Sequence, residues 1–155
     1  AYVDNKIKNT NVGSVRSSLT VVSNANLITG YASPIVLAAA PGASKYIDFK
    51  GAVVRYIYQA PAFSNNSNVV IGIRESNPSQ VSGGYDFQFN SIHTTDKIHK
   101  IIPINHTTGG GAPFSGANEV ANEALVLFLN GANLTGAGGG SLIVKCYYSI
   151  ADLSS

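Results

Sequence analysis

The sequence predicts an all-β fold, an antiparallel β-sandwich of jelly-roll type with about eight or nine short strands. Short apolar stretches rich in Val, Ile, Tyr and Phe recur along the chain, separated by Gly, Pro, Asn and Ser turn signals. No segment of helical length repeats its apolar residues at the helical period. The crossover helices that a parallel α/β sheet requires are therefore missing from the pattern.

Residues 1–16 are polar and irregular and read as an N-terminal arm, with 17–155 as one sandwich domain. Segments 18–22 and 26–29 read as two short strands joined by a turn, and 34–39 (PIVLAA) as a third. Pro41-Gly42 then turns the chain into the longest extended stretch, 45–60, KYIDFKGAVVRYIYQA. There Ile47 and Phe49 alternate with Asp48 and Lys50, and the apolar phase breaks at Gly51, as at a bulge or sharp twist. Beyond it Val53 and Ile57 share a face with Arg55, and Val54, Tyr56 and Tyr58 lie opposite. Such a break can let one strand serve two parts of a sandwich. A polar loop over 61–68 leads to a strand at 69–74. Tyr85, Phe87 and Phe89 alternate with Asp86, Gln88 and Asn90 as a further strand. Pro103 marks 98–104 as an edge strand or a strand end. A Gly-rich loop over 106–116 follows, with room for one short helical turn at 115–121. Ala124 to Leu129 (ALVLFL) is apolar on both faces and reads as a strand covered on both sides. After the glycines of 137–140, which have nothing to bury, the last strand runs over 141–150. Leu142, Val144, Cys146 and Tyr148 form one of its faces, Ile143, Lys145 and Tyr147 the other.

Charged residues make up only 12% of the chain, about half the usual share, while 45% is hydrophobic. So few charges suit a protein whose surface is shared with neighbours, which points to an oligomer. The net charge of +2 and the scattered Lys6, Lys8, Arg16, Lys97 and Lys100 make no basic stripe, so no nucleic-acid partner is expected. No apolar run reaches the roughly 20 residues of a membrane helix, and no membrane partner is expected. No signal peptide is visible, and the absent initiator Met suggests processing upstream. The one cysteine rules out an intrachain disulfide.

No catalytic, cofactor-binding or metal-binding set emerges. His93, His99 and His106 are too far apart for a local metal motif, and surface or loop roles come first for each. Glu119 and Glu123 read as a solvated pair ahead of a subunit ion pair or a calcium ligand set. Asp48 and Asp86 read as solvated strand residues. Residues 41–45, PGASK, lack the spacing and the helix of a phosphate loop. Cys146, among apolar neighbours, reads as an inert core thiol. The sequons at Asn65, Asn105 and Asn133 are expected from the abundance of Asn. Tyr56, Tyr58, Tyr85 and Tyr147 suit either a sugar-stacking surface or a subunit interface.

The run ITGYASPIVLAAAPGASKYIDFKGAVVRY (28–56) resembles a segment of small virion proteins of tailed bacteriophages. In these an apolar strand and an APGA-K turn precede a long strand ending near Arg-Tyr. The run ALVLFLNGANLTGAGGGSLIVKCYYSIADL (124–153) looks like the matching end, in which a Gly-rich turn leads into a closing strand with paired aromatics. Ser44 stands where a second Gly is common. The resemblance implies a β-sandwich that assembles, often as a trimer, on the major capsid protein or another virion component, as a capsid decoration, head auxiliary or fibre-associated protein. The expected function is structural, not enzymatic, with no cofactor and a virion location. The spare apolar strand face, Val53, Ile57, Ile143 and Tyr147, is the expected assembly surface. The arm and the 106–116 loop are expected to grip neighbours. The alternative is a carbohydrate- or host-surface-binding module.

Overall fold

A computed structural model describes residues 13–76, 78–82, 88–89, 94–103, 121–136 and 138–154 of the 155. Residues 1–12 of the arm, Tyr85, Asp86, Phe87, His93, His106, Glu119, and the 106–116 loop and 115–120 with their expected turn lie outside them. The described chain forms nine strands and one short helix. These are β1 (Arg16–Val22), α1 (Asn24–Ile28), β2 (Ile35–Ala38), β3 (Lys45–Gln59), β4 (Ser67–Ile73), β5 (Ser79–Gln80), β6 (Gln88–Phe89), β7 (Lys97–Ile101), β8 (Leu125–Asn130) and β9 (Gly139–Asp152).

Two antiparallel sheets pack as a sandwich. One has the order β1-β9-β3-β7, the other β2-β8-β4-β5, with β6 also pairing β4. The chain passes from sheet to sheet between β1, β2, β3 and β4, and again between β7, β8 and β9. This is jelly-roll order, as predicted from the sequence. The strands are not uniformly short, because β3 and β9 run 15 and 14 residues.

The core is filled from both inner faces. Val54, Tyr56, Leu142, Val144 and Cys146 of the first sheet and Val69, Ile71, Leu125, Leu127 and Leu129 of the second belong to one buried cluster. The second sheet is covered on its other face as well, since Val70 and Val126, which point away from the first sheet, are buried too. That agrees with the two-sided apolar pattern of 124–129.

The break at Gly51 is a β-bulge: the β3–β9 register slips between Phe49 and Gly51. One extra residue inverts the inward phase of β3, from Ile47 and Phe49 before it to Ala52, Val54 and Tyr56 after it. Gly51 has a φ of 143°, a value open to glycine. The strand nevertheless stays in one sheet, paired to β9 on both sides of the bulge.

Segment 26–29 is not a strand; 24–28 form α1. Ser23 caps it, its Oγ accepting the Asn26 N–H at 3.2 Å, and Leu27 anchors it in the core. Asn24 Nδ2 donates to the carbonyls of Gly138 (2.8 Å) and Gly140 (3.0 Å), tying α1 to the start of β9. The glycines there are not idle. Gly139 lies against the Phe63 ring and Gly140 against the Ile57 carbonyl so closely that a Cβ on either would overlap them. The buried Tyr56 hydroxyl donates to the Gly139 carbonyl.

Gly140 and Gly42 both have positive φ, but only Gly140 lacks space. Gly140→Ala is expected to cost about 3 kcal/mol or more, combining backbone strain with overpacking. Gly42→Ala, strained in open space, is expected to cost roughly 1 kcal/mol. Urea denaturation of the two variants checks the difference.

Candidate functional site

The outer face of the β1-β9-β3-β7 sheet gathers the residues expected to assemble. Val21, Ile143, Arg55 and Ile98 lie side by side across all four strands, and Leu19, Lys145, Val53 and Lys100 form the adjacent row. Ile57 lies opposite Ser141, and Tyr147 opposite Gly51, on the same face. Val53, Ile57, Ile143 and Tyr147 are thus brought together on one surface. Leu19 (68%), Val21 (69%), Ile98 (72%) and Val53 (37%) are exposed. Ile57, Ile143 and Tyr147 are half-buried.

β1 inverts the usual alternation of a half-buried strand. Leu19 and Val21 point outward, while Ser18 and Thr20 point inward, opposite the core residues Cys146 and Val144. The buried Ser18 hydroxyl has no hydrogen-bond partner among the described residues. A buried polar group left this way costs about 1–3 kcal/mol. The local sequence would be better served by the opposite phase. The register with β9, fixed over seven consecutive pairs, imposes this one.

Three cations, Arg55, Lys145 and Lys100, stand among the apolar residues of this face. Arg55 reaches Asp96 at 3.4 Å, an exposed pair of little energetic weight, and Asp96 also accepts the Tyr58 N–H at 2.9 Å. Lys50 pairs with Asp48, so Asp48 is partnered and not simply solvated. Lys145 Nζ sits 5.7 Å from the Tyr147 ring centroid, in cation–π range.

Other expectations fare differently. Tyr56 is buried, and Tyr58, on the same side of β3, packs against the core, so neither can stack with Tyr147 on the opposite face. Tyr85 lies outside the described residues. The four tyrosines do not form one sugar-binding surface. His99 is not in a loop but half-buried in β7, on its inward side opposite Val54. Glu123 pairs with Arg74 at 3.6 Å. Asn65 and Asn133 hold loops together: Asn65 Oδ1 accepts the Thr135 N–H at 2.7 Å, and Asn133 Oδ1 accepts those of Tyr31 and Ala32 at 3.1 Å. No group of three or more His, Cys, Asp or Glu is placed to hold a metal among the described residues. No described helix is long and apolar enough to cross a membrane.

Leu19, Val21 and Ile98 are the members of the face that sequence reasoning missed. Their signal was present as alternation in 18–22 and 98–104, but alternation does not say which phase faces the core.

The chain matches no family model, and no curated protein or solved structure matches it.

Cys146 and Tyr56 lie in the core beneath this face. Burial pushes the Cys146 thiol from the ordinary 9.0 up to about 12, against a smaller opposing effect of a backbone hydrogen bond at Tyr147. Burial, followed by the nearby Tyr58 and Asp96, pushes the Tyr56 phenol from 10.0 up to about 12. Both stay protonated in the folded protein at pH values where the unfolded chain releases their protons. Their contribution is complete below about pH 9 and declines as pH rises toward 12. The urea midpoint is therefore expected to fall between pH 8.5 and 11.5, less steeply in Cys146→Ala. The native thiol is expected to resist a thiol reagent that labels the unfolded chain at once.

Proposed function

We propose that this chain is a structural protein of a tailed-phage virion, an oligomer, in the first instance a trimer, that decorates or stabilises the capsid. The carrying observation is the outward phase of β1, which leaves Leu19 and Val21 in water beside Ile143, Val53 and Ile98 while Ser18 faces the core. An arrangement that costs the lone subunit stability is explained when a neighbour covers the face. The resemblance of 28–56 and 124–153 to small virion proteins supports the particle. The jelly roll, used by viral capsid and lectin domains alike, is compatible at the level of fold alone.

The size of the face limits how it acts. Four strands span about 14 Å and the apolar part of β9 about 20 Å, roughly 300 Å² in projection. A standard stable interface takes about 800 Å² from each partner. The face alone therefore supports concentration-dependent association, strengthened by many copies on a particle. The β1 edge adds area. Among the described residues β1 pairs on one side only, and Ser17 to Val22 carries no charge, proline or bulge to deter a further strand.

Light scattering coupled to size exclusion tests this. The mass is expected to rise with concentration from that of the 16.1 kDa chain toward about 48 kDa for a trimer. Leu19→Lys combined with Val21→Lys is expected to hold the protein monomeric with a stability change of less than about 0.5 kcal/mol. A wild-type monomer at every concentration, together with no uptake by phage capsids, would contradict the proposal.

A further inference from the structure

The other sheet carries a second feature. A cleft of about 490 Å³ opens where the turn after α1 and the segment after β4 meet the outer side of β8. Tyr31 and Phe128 give it two aromatic side chains; Glu75, Ser76 and Asn130 give it a carboxylate, a hydroxyl and an amide. We propose that this cleft binds a sugar ring of a glycan, with Tyr31 and Phe128 as stacking faces and Glu75, Ser76 and Asn130 as hydroxyl partners.

The cleft walls are held in place from several directions. Asn133 Oδ1 fixes the backbone of Tyr31 and Ala32, and the Gly30 carbonyl accepts the Leu129 N–H at 3.1 Å. Gly30 packs closely against the Leu129 side chain and the Leu27 carbonyl, where a Cβ would be crowded at 3.2 Å. Tyr31 is thus an exposed ring on a fixed backbone, and Phe128 stands on a central strand. A ligand meeting rings already in position loses little to ordering them.

The lining chemistry selects the ligand. Among the described residues no cationic side chain lines the cleft, and Glu75 is in none of the described ion pairs. A phosphate or carboxylate ligand would meet Glu75 as a like charge. A wholly apolar ligand would desolvate that carboxylate with nothing in return. A pyranose offers C–H faces to the rings and hydroxyls to Glu75, Ser76 and Asn130, satisfying both kinds of surface. The volume lies within the range of small-molecule sites. This site does not depend on the assembly face, which belongs to the other sheet.

The test is an array of bacterial and mammalian glycans probed with the labelled full chain, followed by NMR titration of the strongest glycan. Binding is expected to shift the signals of Tyr31, Phe128 and Glu75. Tyr31→Ala and Glu75→Gln are each expected to weaken it about tenfold, and Tyr31→Phe to retain it. Light scattering of Tyr31→Ala is expected to match the wild type, so loss of sugar binding and loss of assembly are read separately. Uniform silence on the array overturns the proposal. So does glycan binding that survives both weakening substitutions, or binding of choline in the cleft while every sugar is silent.

Discussion

The β3–β9 ladder is the constraint on which the rest of the structure depends. It runs from Lys45 opposite Asp152 to Gln59 opposite Gly139, through the middle of one sheet. Its phase is set at one point, the bulge at Gly51. Without the extra residue there, Val53, Arg55 and Ile57 would enter the core, and Val54 and Tyr56 would face water. A Cβ at Gly51 would press on the Ile101 carbonyl at 3.3 Å and require a φ that side chains avoid. At the far end the glycines of 138–140 let β9 start against Pro61, Phe63 and Ile57, and the Tyr56 hydroxyl closes the joint. The opposite end is tied by backbone bonds from Asn122 to Lys45 and from Leu153 to Ser44. A long ladder held at both ends makes a firm platform, and β1 and β7 take their phases from it.

That platform produces an asymmetric sandwich. The β2-β8-β4-β5 sheet buries apolar side chains on both faces, though on its outer side Val36 is exposed and the Tyr31–Phe128 cleft opens. The four-stranded sheet buries one face and presents Leu19, Val21, Val53 and Ile98 on the other. An isolated subunit gains nothing from this arrangement, because the Ser18 hydroxyl is buried while two aliphatic residues of the same strand are exposed. Arg55, Lys100 and Lys145 interrupt that apolar surface, and Arg55 is engaged by Asp96.

Much of the architecture is legible in the sequence because long apolar runs identify strands wherever they pair. The runs at 45–60, 69–74, 124–129 and 141–150 correspond to β3, β4, β8 and β9, and Gly51 marks its bulge by the break in alternation. Less can be read where local pattern is compatible with two outcomes. Asn24 to Ile28 is too short to display a helical period, and Ser23 is a cap only once the helix exists. Tyr56 is polar-tipped and reads equally well as a surface residue, yet the one-residue shift between Phe49 and Gly51 carries it inward. Alternation in 18–22 leaves the phase of Leu19 and Val21 open, and pairing with β9 turns them outward. The Tyr31–Phe128 cleft joins residues nearly one hundred positions apart and has no local signature.

The most direct measurement of the account is solvent paramagnetic relaxation of methyl signals, recorded on dilute and then concentrated protein. In dilute solution the methyls of Leu19, Val21, Ile98 and Val53 are expected to relax strongly, and those of Val54 and Val144 to be shielded. At high concentration the first group is expected to become protected without change in the second. Relaxation of Val54 or Val144 in dilute solution would contradict the phase set at Gly51. Outer methyls that remain fully accessible when concentrated and when mixed with phage capsids would contradict the assembly face.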